Sequence, residues 1–421
     1  MATTIPVYHD SLPAGLLGGA AGGVDVSGVP SIIDAVRDRG DEAVSEFNLR
    51  FDRDALQPFE LEGEALAAHV AGVAPAVKAA LELAHERVRT FAQVQRDTAR
   101  DAEWDDNASG VRAGVRWTPV DRVACYVPGG RFPLPSSALM TVTAARVAGV
   151  REVIVLAPRM APETALAAQI AGADRLFRIG GPQAVAAAAF GTASVPRVDM
   201  IVGPGNAYVA EAKRLLIGRI GIDMIAGPSE VCIVADASAD PARVAADLLA
   251  QAEHDPAAVP VLLTSDAALP AKVQAAIDAQ CSRMSLPSFI GESLGRGAMV
   301  VLPSLDGCVA AANELAPEHL ELHLPDDLAR DVATRVRHFG CLFIGEHSAE
   351  VFGDYLAGTN HVLPTAGSAR HSSGLSPLTF LMPRTWLQMT ADAAASLSGP
   401  CVTLAEAEGL HGHAEAARLR G

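Results

Sequence analysis

Cysteine and positive charge are both scarce in this chain. Its 421 residues include only 6 Cys, and no two of them form a Cys-x-x-Cys pair. Neither a disulfide framework nor a thiolate zinc site is therefore indicated, and we expect a reducing compartment. Lys and Arg number 33 against 49 Asp and Glu, which gives a formal net charge of −16. Because this charge repels polyanions, we expect no nucleic-acid partner and a small neutral or cationic substrate.

Long apolar runs and a leader are also missing. No stretch of about 18 apolar residues could span a membrane. Residues 1–23 lack a basic segment followed by a continuous apolar core. We therefore expect no membrane association and a cytoplasmic location.

Two signatures of catalysis or cofactor binding are not completed. The dinucleotide fingerprint Gly-x-Gly-x-x-Gly is absent, so a nucleotide would be held in another way. Residues 227–231 around Ser229 lack the second Gly of Gly-x-Ser-x-Gly, which argues against a hydrolase nucleophile at Ser229.

What is present indicates an α/β protein of two or three units, by the prior of about 100–200 residues per domain. Residues 29–103 carry apolar side chains at helical spacing. After them, short apolar runs alternate with Ala-rich helical segments. The predicted strands are residues 122–127, 152–157, 175–179, 200–202, 230–235, 260–264, 299–302, 319–323 and 341–344. Strands separated by crossover helices predict two doubly wound, Rossmann-like parallel-sheet domains, with small helical segments at both termini.

A first candidate site is Gln251-x-x-His254. On a helix these two side chains share one face and can bind the same ion. Asp354 and the late histidines His361, His411 and His413 offer further ligands, and such a mixed oxygen and nitrogen set suits Zn²⁺. On the Gln-His pair alone, an ordinary helix end is the favoured interpretation.

A second candidate is the pair Glu318-His319, which provides a carboxylate and an imidazole for proton transfer near neutral pH. A polar surface turn is an equally weighted alternative. Glycine-rich turns at residues 128–130, 180–181 and 203–206 end predicted parallel strands, where open α/β sheets bind ligands. Each turn alone is equally typical of a tight strand-to-helix connection.

Several segments, in this order, carry a family resemblance over nearly the whole chain. They are Tyr126-Val127-Pro128-Gly129-Gly130, Gly203-Pro204-Gly205-Asn206, Ile222-Asp223 with Ala226-Gly227-Pro228-Ser229-Glu230, Gln251-Ala252-Glu253-His254, Ala316-Pro317-Glu318-His319-Leu320, Gly353-Asp354-Tyr355 with Gly358-Thr359-Asn360-His361, and Glu408-Gly409-Leu410-x-x-His413. Together they resemble the histidinol dehydrogenase family.

The resemblance implies a zinc- and NAD-dependent enzyme that oxidises L-histidinol through bound L-histidinaldehyde to L-histidine. This reaction uses two NAD and is the last step of histidine biosynthesis. The resemblance also implies a homodimer with a shared active site.

The resemblance further implies a role for each matching residue. His319 is the base and Glu318 activates the attacking water. The zinc ligands are Gln251, His254, Asp354 and His413, the last from the other subunit. The substrate contacts are Ser229, Gln251, His254, His319, Asp354, His361, Glu408 and His413. The positions lining the NAD site are Tyr126, Gln183 and Asn206.

The expected domain organisation follows from the same resemblance. Residues 1–22 form an N-terminal arm, and residues 23–124 and 231–374 form a first α/β domain with the zinc and catalytic residues. Residues 125–230 form a second domain on the NAD side. Residues 375–421 form a helical segment that crosses to the partner subunit, and its end, residues 405–420, is expected to be one charged helix.

Three departures from the family pattern leave the exact substrate open. Ile225 replaces a usual Pro, His371 replaces a usual aromatic residue, and Leu381-Met382-Pro383 interrupts a segment that usually carries a Lys-Arg pair. They motivate the alternative of a relative that oxidises another primary alcohol, such as dihydroxypropanesulfonate, whereas Ala316-Pro317 before Glu318 and Gly358-Thr359 before Asn360 look more like the histidinol enzymes. A non-catalytic binding protein and a thiohemiacetal route through Cys125 also stay open, and both are less favoured.

Overall fold

Two parallel sheets and one small antiparallel sheet organise the chain. The structure is a computed structural model, and it describes residues 3–17, 24–53, 58–106, 109–129 and 133–421. Gly130 of the first glycine-rich turn and residues 1–2 and 18–22 of the expected N-terminal arm lie outside the described residues.

The strands and helices follow one another in the order expected of an α/β chain. The strands are β1 (Val7–His9), β2 (Ala102–Asp106), β3 (Val111–Pro119), β4 (Arg122–Tyr126), β5 (Glu152–Leu156), β6 (Arg175–Phe177), β7 (Met200–Val202), β8 (Gly221–Ile222), β9 (Glu230–Ala235), β10 (Val259–Thr264), β11 (Ala298–Val301), β12 (His319–His323), β13 (Cys341–Ile344) and β14 (Leu381–Met389). The α-helices are α1 (Val29–Arg39), α2 (Asp41–Asp52), α3 (Gly63–Val70), α4 (Pro75–Arg96), α5 (Pro135–Ala148), α6 (Pro162–Ala171), α7 (Gly181–Phe190), α8 (Ala207–Leu216), α9 (Pro241–Ala252), α10 (Leu269–Cys281), α11 (Ile290–Arg296), α12 (Leu305–Leu315), α13 (Asp326–Arg335), α14 (Glu350–Tyr355), α15 (Ala391–Ala407) and α16 (His411–Arg418). Two 3₁₀ turns, Ser368–Arg370 and Pro377–Phe380, precede β14.

The two parallel sheets confirm the doubly wound prediction. The five-stranded sheet has the order β6-β5-β4-β7-β8, and the six-stranded sheet has the order β1-β11-β10-β9-β12-β13. Every residue of β9 and β10 is buried, as expected for central strands covered by helices on both faces. The strand β1 was not predicted; it pairs in parallel with β11 at the edge of the six-stranded sheet.

The four N-terminal helices cover the five-stranded sheet. Val29 and Phe47 of α1 and α2 share a core with Ala124 and Tyr126 of β4. On the other face of this sheet, Val88 of α4 belongs to the core that contains the buried side of α5 and α6. The expected grouping of residues 23–124 with the later half of the chain differs from this packing. The reason is that helical periodicity identifies a face to be buried and not the sheet that buries it.

The C-terminal region after residue 375 contains a strand where helix was expected. β14 pairs antiparallel with β3 over nine residues, and β2 pairs with the other side of β3. Most of β14 is exposed, so it lacks the apolar run that marks the central strands. The expected single helix over residues 405–420 is also divided, because Gly409 has a φ of 74° between α15 and α16.

No single helix among the described residues has the length and apolar character needed to cross a bilayer. The consecutive helices α3 and α4 meet those criteria only when taken together, and they are bent by 109°.

Candidate active site

Glu230, Glu318 and His319 form a polar cluster at the amino ends of β9 and β12. These strands are parallel neighbours, with His319 opposite Val231, so Glu230 and Glu318-His319 meet at one edge of the sheet. α9 returns from the carboxyl end of β9 to that same edge, because a crossover helix runs antiparallel to its strands. The carboxyl end of α9 therefore brings Gln251 and His254 to the cluster.

α9 begins where its sequence predicts. The Asp240 carboxylate accepts a hydrogen bond from the Ala242 N–H, and Pro241 occupies the first helical position. Gln251 and Ala252 are buried at its last turn, where the predicted ligands begin.

His319 is a buried neutral imidazole with one nitrogen available. Its Nδ1 lies 3.1 Å from the main-chain oxygen of Glu230, and because a carbonyl only accepts, Nδ1 carries the proton. Nε2 then holds the lone pair; it is buried without a hydrogen-bond partner among the described residues and lies 3.8 Å from Asp354 Oδ1. Burial lowers the pKa of His319 to about 4. The arrangement presents Nε2 as a proton acceptor.

The carboxyl groups of Glu318 and Glu230 have raised pKa values, so each favours its uncharged form more than an ordinary carboxyl group does. Glu318 Oε2 accepts the Glu230 N–H at 2.9 Å, and burial, together with the nearby Glu230 charge, raises the pKa of Glu318 well above its ordinary value. Burial also raises the pKa of Glu230 to about 7. Its Oε1 accepts the Ala366 N–H, whereas Oε2 is buried and unpaired among the described residues. Such carboxyls can exchange protons near neutral pH.

The helices α9 and α14 together form a group that could bind a cation. Gln251 is fully buried, its amide nitrogen lies 3.4 Å from His254 Nδ1, and its Oε1 has no hydrogen-bond partner among the described residues. Ligand atoms of His254, Glu350 and Asp354 lie within 4.8 Å of one another. The structure thus brings three of the four predicted ligands together. It adds Glu350, which sequence reasoning missed although it precedes Asp354 by one helical turn.

The remaining predicted ligand and one substrate contact lie elsewhere in the single chain. His413, on α16, and Glu408, just after α15, are exposed. His413 does not belong to either group of His, Cys, Asp and Glu side chains that could hold an ion among the described residues, and neither does His411.

The other predicted substrate contacts surround the cluster. His361 Nδ1 donates to the Asp354 carbonyl at 3.0 Å, and its Nε2 lies 3.3 Å from Ser137 Oγ on α5. Ser229 is half-buried directly before β9, and its hydroxyl hydrogen-bonds the Glu318 carboxyl. The loop after His361 is tied to the same segment, because Thr365 Oγ1 accepts the Gly227 N–H at 2.6 Å.

The predicted NAD positions lie at the carboxyl end of the five-stranded sheet. The Tyr126 hydroxyl accepts the Gly181 N–H at 3.1 Å, and burial raises the pKa of this hydroxyl to about 12. Gln183 is fully buried in α7 and donates to Asn48 Oδ1 at 3.1 Å. Asn206 caps α8, with its Oδ1 accepting the N–H groups two and three residues on.

A buried ion pair that sequence reasoning missed supports the turn before Asn206. Asp223 Oδ2 accepts the Gly203 N–H at 2.7 Å, and Lys213 Nζ donates to the Gly203 oxygen at 3.0 Å. Lys213 and Asp223 also pair with each other, both almost fully buried. Both polar groups of the Gly203 main chain are therefore held by side chains.

Two possible nucleophiles are unsuited to catalysis. Cys125 is fully buried, and burial raises the pKa of its thiol to about 12, which disfavours a thiohemiacetal route. A Gly-x-Ser-x-Gly sequence does occur at residues 291–295, but Ser293 lies fully buried within α11 and donates to the Ala258 oxygen at 3.1 Å. It is not at a strand-to-helix elbow.

The chain resembles one family of known proteins in both sequence and structure. It matches the profile of the family described as histidinol dehydrogenase over residues 25–421. The histidinol dehydrogenase of Ralstonia nicotianae is 46% identical over 398 residues, which cover 92% of this chain and 90% of that protein. That of Ruegeria pomeroyi is 45% identical over 399 residues, with coverage of 93% and 91%. A crystal structure of histidinol dehydrogenase from Elizabethkingia anophelis matches with a TM-score of 0.92 at 30% identity, covering 99% of this chain and 98% of that one.

Proposed function

The chain belongs to the histidinol dehydrogenase family of oxidoreductases, and we propose that it oxidises L-histidinol through bound L-histidinaldehyde to L-histidine with two NAD, as the last step of histidine biosynthesis. The observation that carries this proposal is the unpaired Nε2 of His319 beside the group formed by His254, Glu350 and Asp354. This arrangement places a base next to a group of side chains that could bind a cation.

The residues present fit a zinc ion. Gln251 Oε1 is a buried acceptor without a partner among the described residues, and His254 and Asp354 add a nitrogen and an oxygen donor. We assign the fourth ligand to the partner's His413. Bound zinc supplies a positive charge that holds the imidazole and amine of the substrate in place.

His319 and Glu318 divide the proton transfers. His319 Nε2 takes the proton of the alcohol, while the Nδ1–H bond to Glu230 keeps the ring in the required tautomer and orientation. Glu318 takes a proton from the water that attacks the aldehyde carbon, and the burial that raises the pKa of its carboxyl makes the carboxylate a stronger base. The complete reaction converts one alcohol and one water into a carboxylate and releases three protons, with hydride acceptance supplied by NAD.

We assign the NAD side to residues 125–230, with Tyr126, Gln183 and Asn206 lining it, and the zinc and catalytic residues to residues 231–374. Carboxyl ends of parallel strands are the usual ligand-binding side of open α/β sheets, which supports the NAD side. The zinc and catalytic residues instead lie at the amino ends of β9 and β12. A cytoplasmic location is part of the same proposal.

A homodimer with shared active sites is the proposed assembly. Glu408 and His413 are exposed, and so are the nearby apolar side chains of Leu404, Leu410 and Leu419, at 68%, 42% and 77%. Apolar side chains clustered around exposed functional residues are typical of an interface.

Histidinol is favoured over another alcohol because the departures from the family pattern lie outside the polar cluster. Ile225 is 43% exposed, His371 is exposed, and Met382 and Pro383 lie on β14. His371 belongs to neither group of His, Cys, Asp and Glu side chains that could hold an ion in the described chain.

Purified protein incubated with L-histidinol should reduce about two NAD per substrate consumed, measured by absorbance and by chromatography of L-histidine. A chelator should abolish turnover and added zinc should restore it. His319→Asn provides the matched control, which should bind zinc but lose most turnover. Zinc-loaded wild-type protein that leaves histidinol unchanged, or that oxidises only dihydroxypropanesulfonate, would overturn the proposal.

A further inference from the structure

A second buried polar cluster lies behind the proposed zinc site and is formed by the same structural elements. Asp247 precedes Gln251 on α9 by four residues, so the two share one helical face. On β12, Glu321 and His323 follow His319 at intervals of two residues and therefore point to its side of the sheet. We call Asp247, Glu321 and His323 the inner triad.

The inner triad is joined by short hydrogen bonds. His323 Nε2 lies 3.1 Å from Glu321 Oε2 and 3.2 Å from Asp247 Oδ2. Glu321 Oε1 accepts the main-chain N–H of Glu350 at 2.6 Å, at the first residue of α14. The contacts thus form a continuous connection from α9 through β12 to α14. His254 lies in the turn directly after α9, His319 begins β12, and Asp354 lies on α14.

The inner triad places an imidazole between two carboxyl groups. Glu321 and His323 are essentially fully buried, and the Asp247 side chain is 13% exposed. Burial disfavours a charged His323, but the hydrogen bonds to Asp247 and Glu321 outweigh it and raise the pKa of His323 to about 9. His323 is therefore an imidazolium at neutral pH and lies beside the carboxyl groups of Asp247 and Glu321, of which Glu321 has a pKa that burial raises. Although the three ligand atoms are close enough to hold an ion, this proton already fills that role.

A hydrogen-bonded connection of this kind defines distances more narrowly than apolar packing does. Apolar contacts have no preferred direction, whereas each hydrogen bond here has one donor, one acceptor and a narrow length range. Metal affinity depends on the contacts that hold the ligand side chains in place. Loss of such a contact typically lowers the affinity by about 10–100-fold.

We propose that Asp247, Glu321 and His323 are positioning residues that set the separation of α9 from α14, and with it the distance between the zinc ligands His254 and Asp354. The inference rests on the proposed function, since it assigns the inner triad a role in zinc binding. In this proposal the triad residues are neither zinc ligands nor substrate contacts.

The test compares Asp247→Ala with Asp247→Asn in the full-length protein. Alanine removes the acceptor that ties α9 to His323, so the zinc dissociation constant should rise about tenfold or more. Asparagine keeps an oxygen acceptor for the His323 N–H, so the dissociation constant should stay within about threefold of wild type. The measurement is competition for zinc against a chromophoric chelator, without turnover.

A matched control separates positioning from general destabilisation. Val234→Ala removes two fully buried methyl groups from the adjacent strand β9 and breaks no contact of the triad. It should lower the unfolding temperature without changing the zinc dissociation constant. In Asp247→Ala, turnover should return towards the wild-type rate at saturating zinc while the KM for NAD stays unchanged, because the five-stranded sheet is unaffected.

Three results would overturn this proposal without affecting the proposed function. Equal zinc affinities for Asp247→Ala and wild type would do so, as would an equal loss in the alanine and asparagine variants. A Val234→Ala protein with the same loss would show that stability alone is responsible. Wild-type protein that binds no zinc would overturn the proposed function as well, so the two failures are distinguishable. If Asp247→Ala does not fold, Glu321→Gln against Glu321→Leu makes the same comparison at the link to α14.

Discussion

At the scale of single residues, the charge on His323 connects stability to pH. Its pKa is raised from 6.5 to about 9 in the folded protein, since Asp247 and Glu321 more than offset its burial. A group whose folded pKa exceeds its unfolded pKa contributes stability that is complete below the unfolded value. That contribution is lost as the pH rises through the folded value. The relevant window is therefore pH 6.5 to 9.

His323→Gln should remove this pH-dependent contribution. Below pH 6.5 the variant should be less stable than wild type by about 3 kcal/mol at most, from a shift of this size. This difference in the free energy of unfolding should decrease steadily as the pH rises towards 9. Urea unfolding at several pH values measures this difference. A chelator in every sample keeps the protein metal-free, so that zinc binding does not contribute. A gap that widens as the pH rises would contradict the assignment of the charge to His323.

Individual residue roles could be predicted only where a motif carries them. The spacing Gln251-x-x-His254 and the pair Glu318-His319 were visible in the sequence, and the resemblance selected Asp354 from several possible further ligands. Contacts between distant positions left no such pattern. Neither the Lys213-Asp223 pair nor the connection of Asp247 to His323 could be predicted, because residue spacing does not report which buried polar groups meet.

At the scale of elements, the turn between β7 and α8 should be sensitive to any side chain at Gly203. This residue has a φ of 108°, and a Cβ there would collide with the main-chain oxygen of Tyr126. Both strain and collision would move the end of β7 away from β4. Gly203→Ala should lower the free energy of unfolding by about 1–3 kcal/mol. It should also raise the KM for NAD, because the turn leads directly into Asn206.

Gly218→Ala is the matched control for this prediction. Gly218 also has a positive φ, 89°, but a Cβ there would meet nothing within 4 Å. The control should lose stability through its backbone alone and keep the KM for NAD of wild type. Steady-state kinetics with varied NAD and thermal unfolding separate the two effects. An unchanged KM for NAD in Gly203→Ala would contradict the proposed cofactor side.

The predicted elements were those whose local pattern is strong. Central strands such as β9 and β10 are buried throughout, so their apolar runs were sufficient. β14 is mostly exposed and depends on pairing with β3, which local sequence does not encode. The break at Gly409 was likewise missed. A Gly between two helical segments is compatible with either one helix or two until its φ is known.

At the scale of the whole molecule, the proposed active site is divided between chains. Gln251, His254, His319 and Asp354 belong to one cluster, whereas His413 is exposed on α16. If His413 completes the partner's zinc site, every active site needs residues from two subunits. A defect in His319 of one chain and a defect in His413 of the other would then fall in the same site of a mixed dimer and leave its second site intact.

This division predicts complementation between two inactive variants. His319→Gln and His413→Ala should each be inactive as homodimers. In a mixed dimer one site carries both defects and the other carries neither. Equal co-expression makes about half the dimers mixed, so about a quarter of wild-type activity should return.

The matched control combines His319→Gln with His254→Ala. Since both residues lie in one chain's cluster, each site of that dimer keeps one defect and no activity should return. Assays of the co-expressed mixture measure both outcomes, and mixed dimers purified from it by affinity should show about half of wild-type activity. Equal activity in the two combinations, or none in either, would contradict a site that His413 completes from the partner subunit.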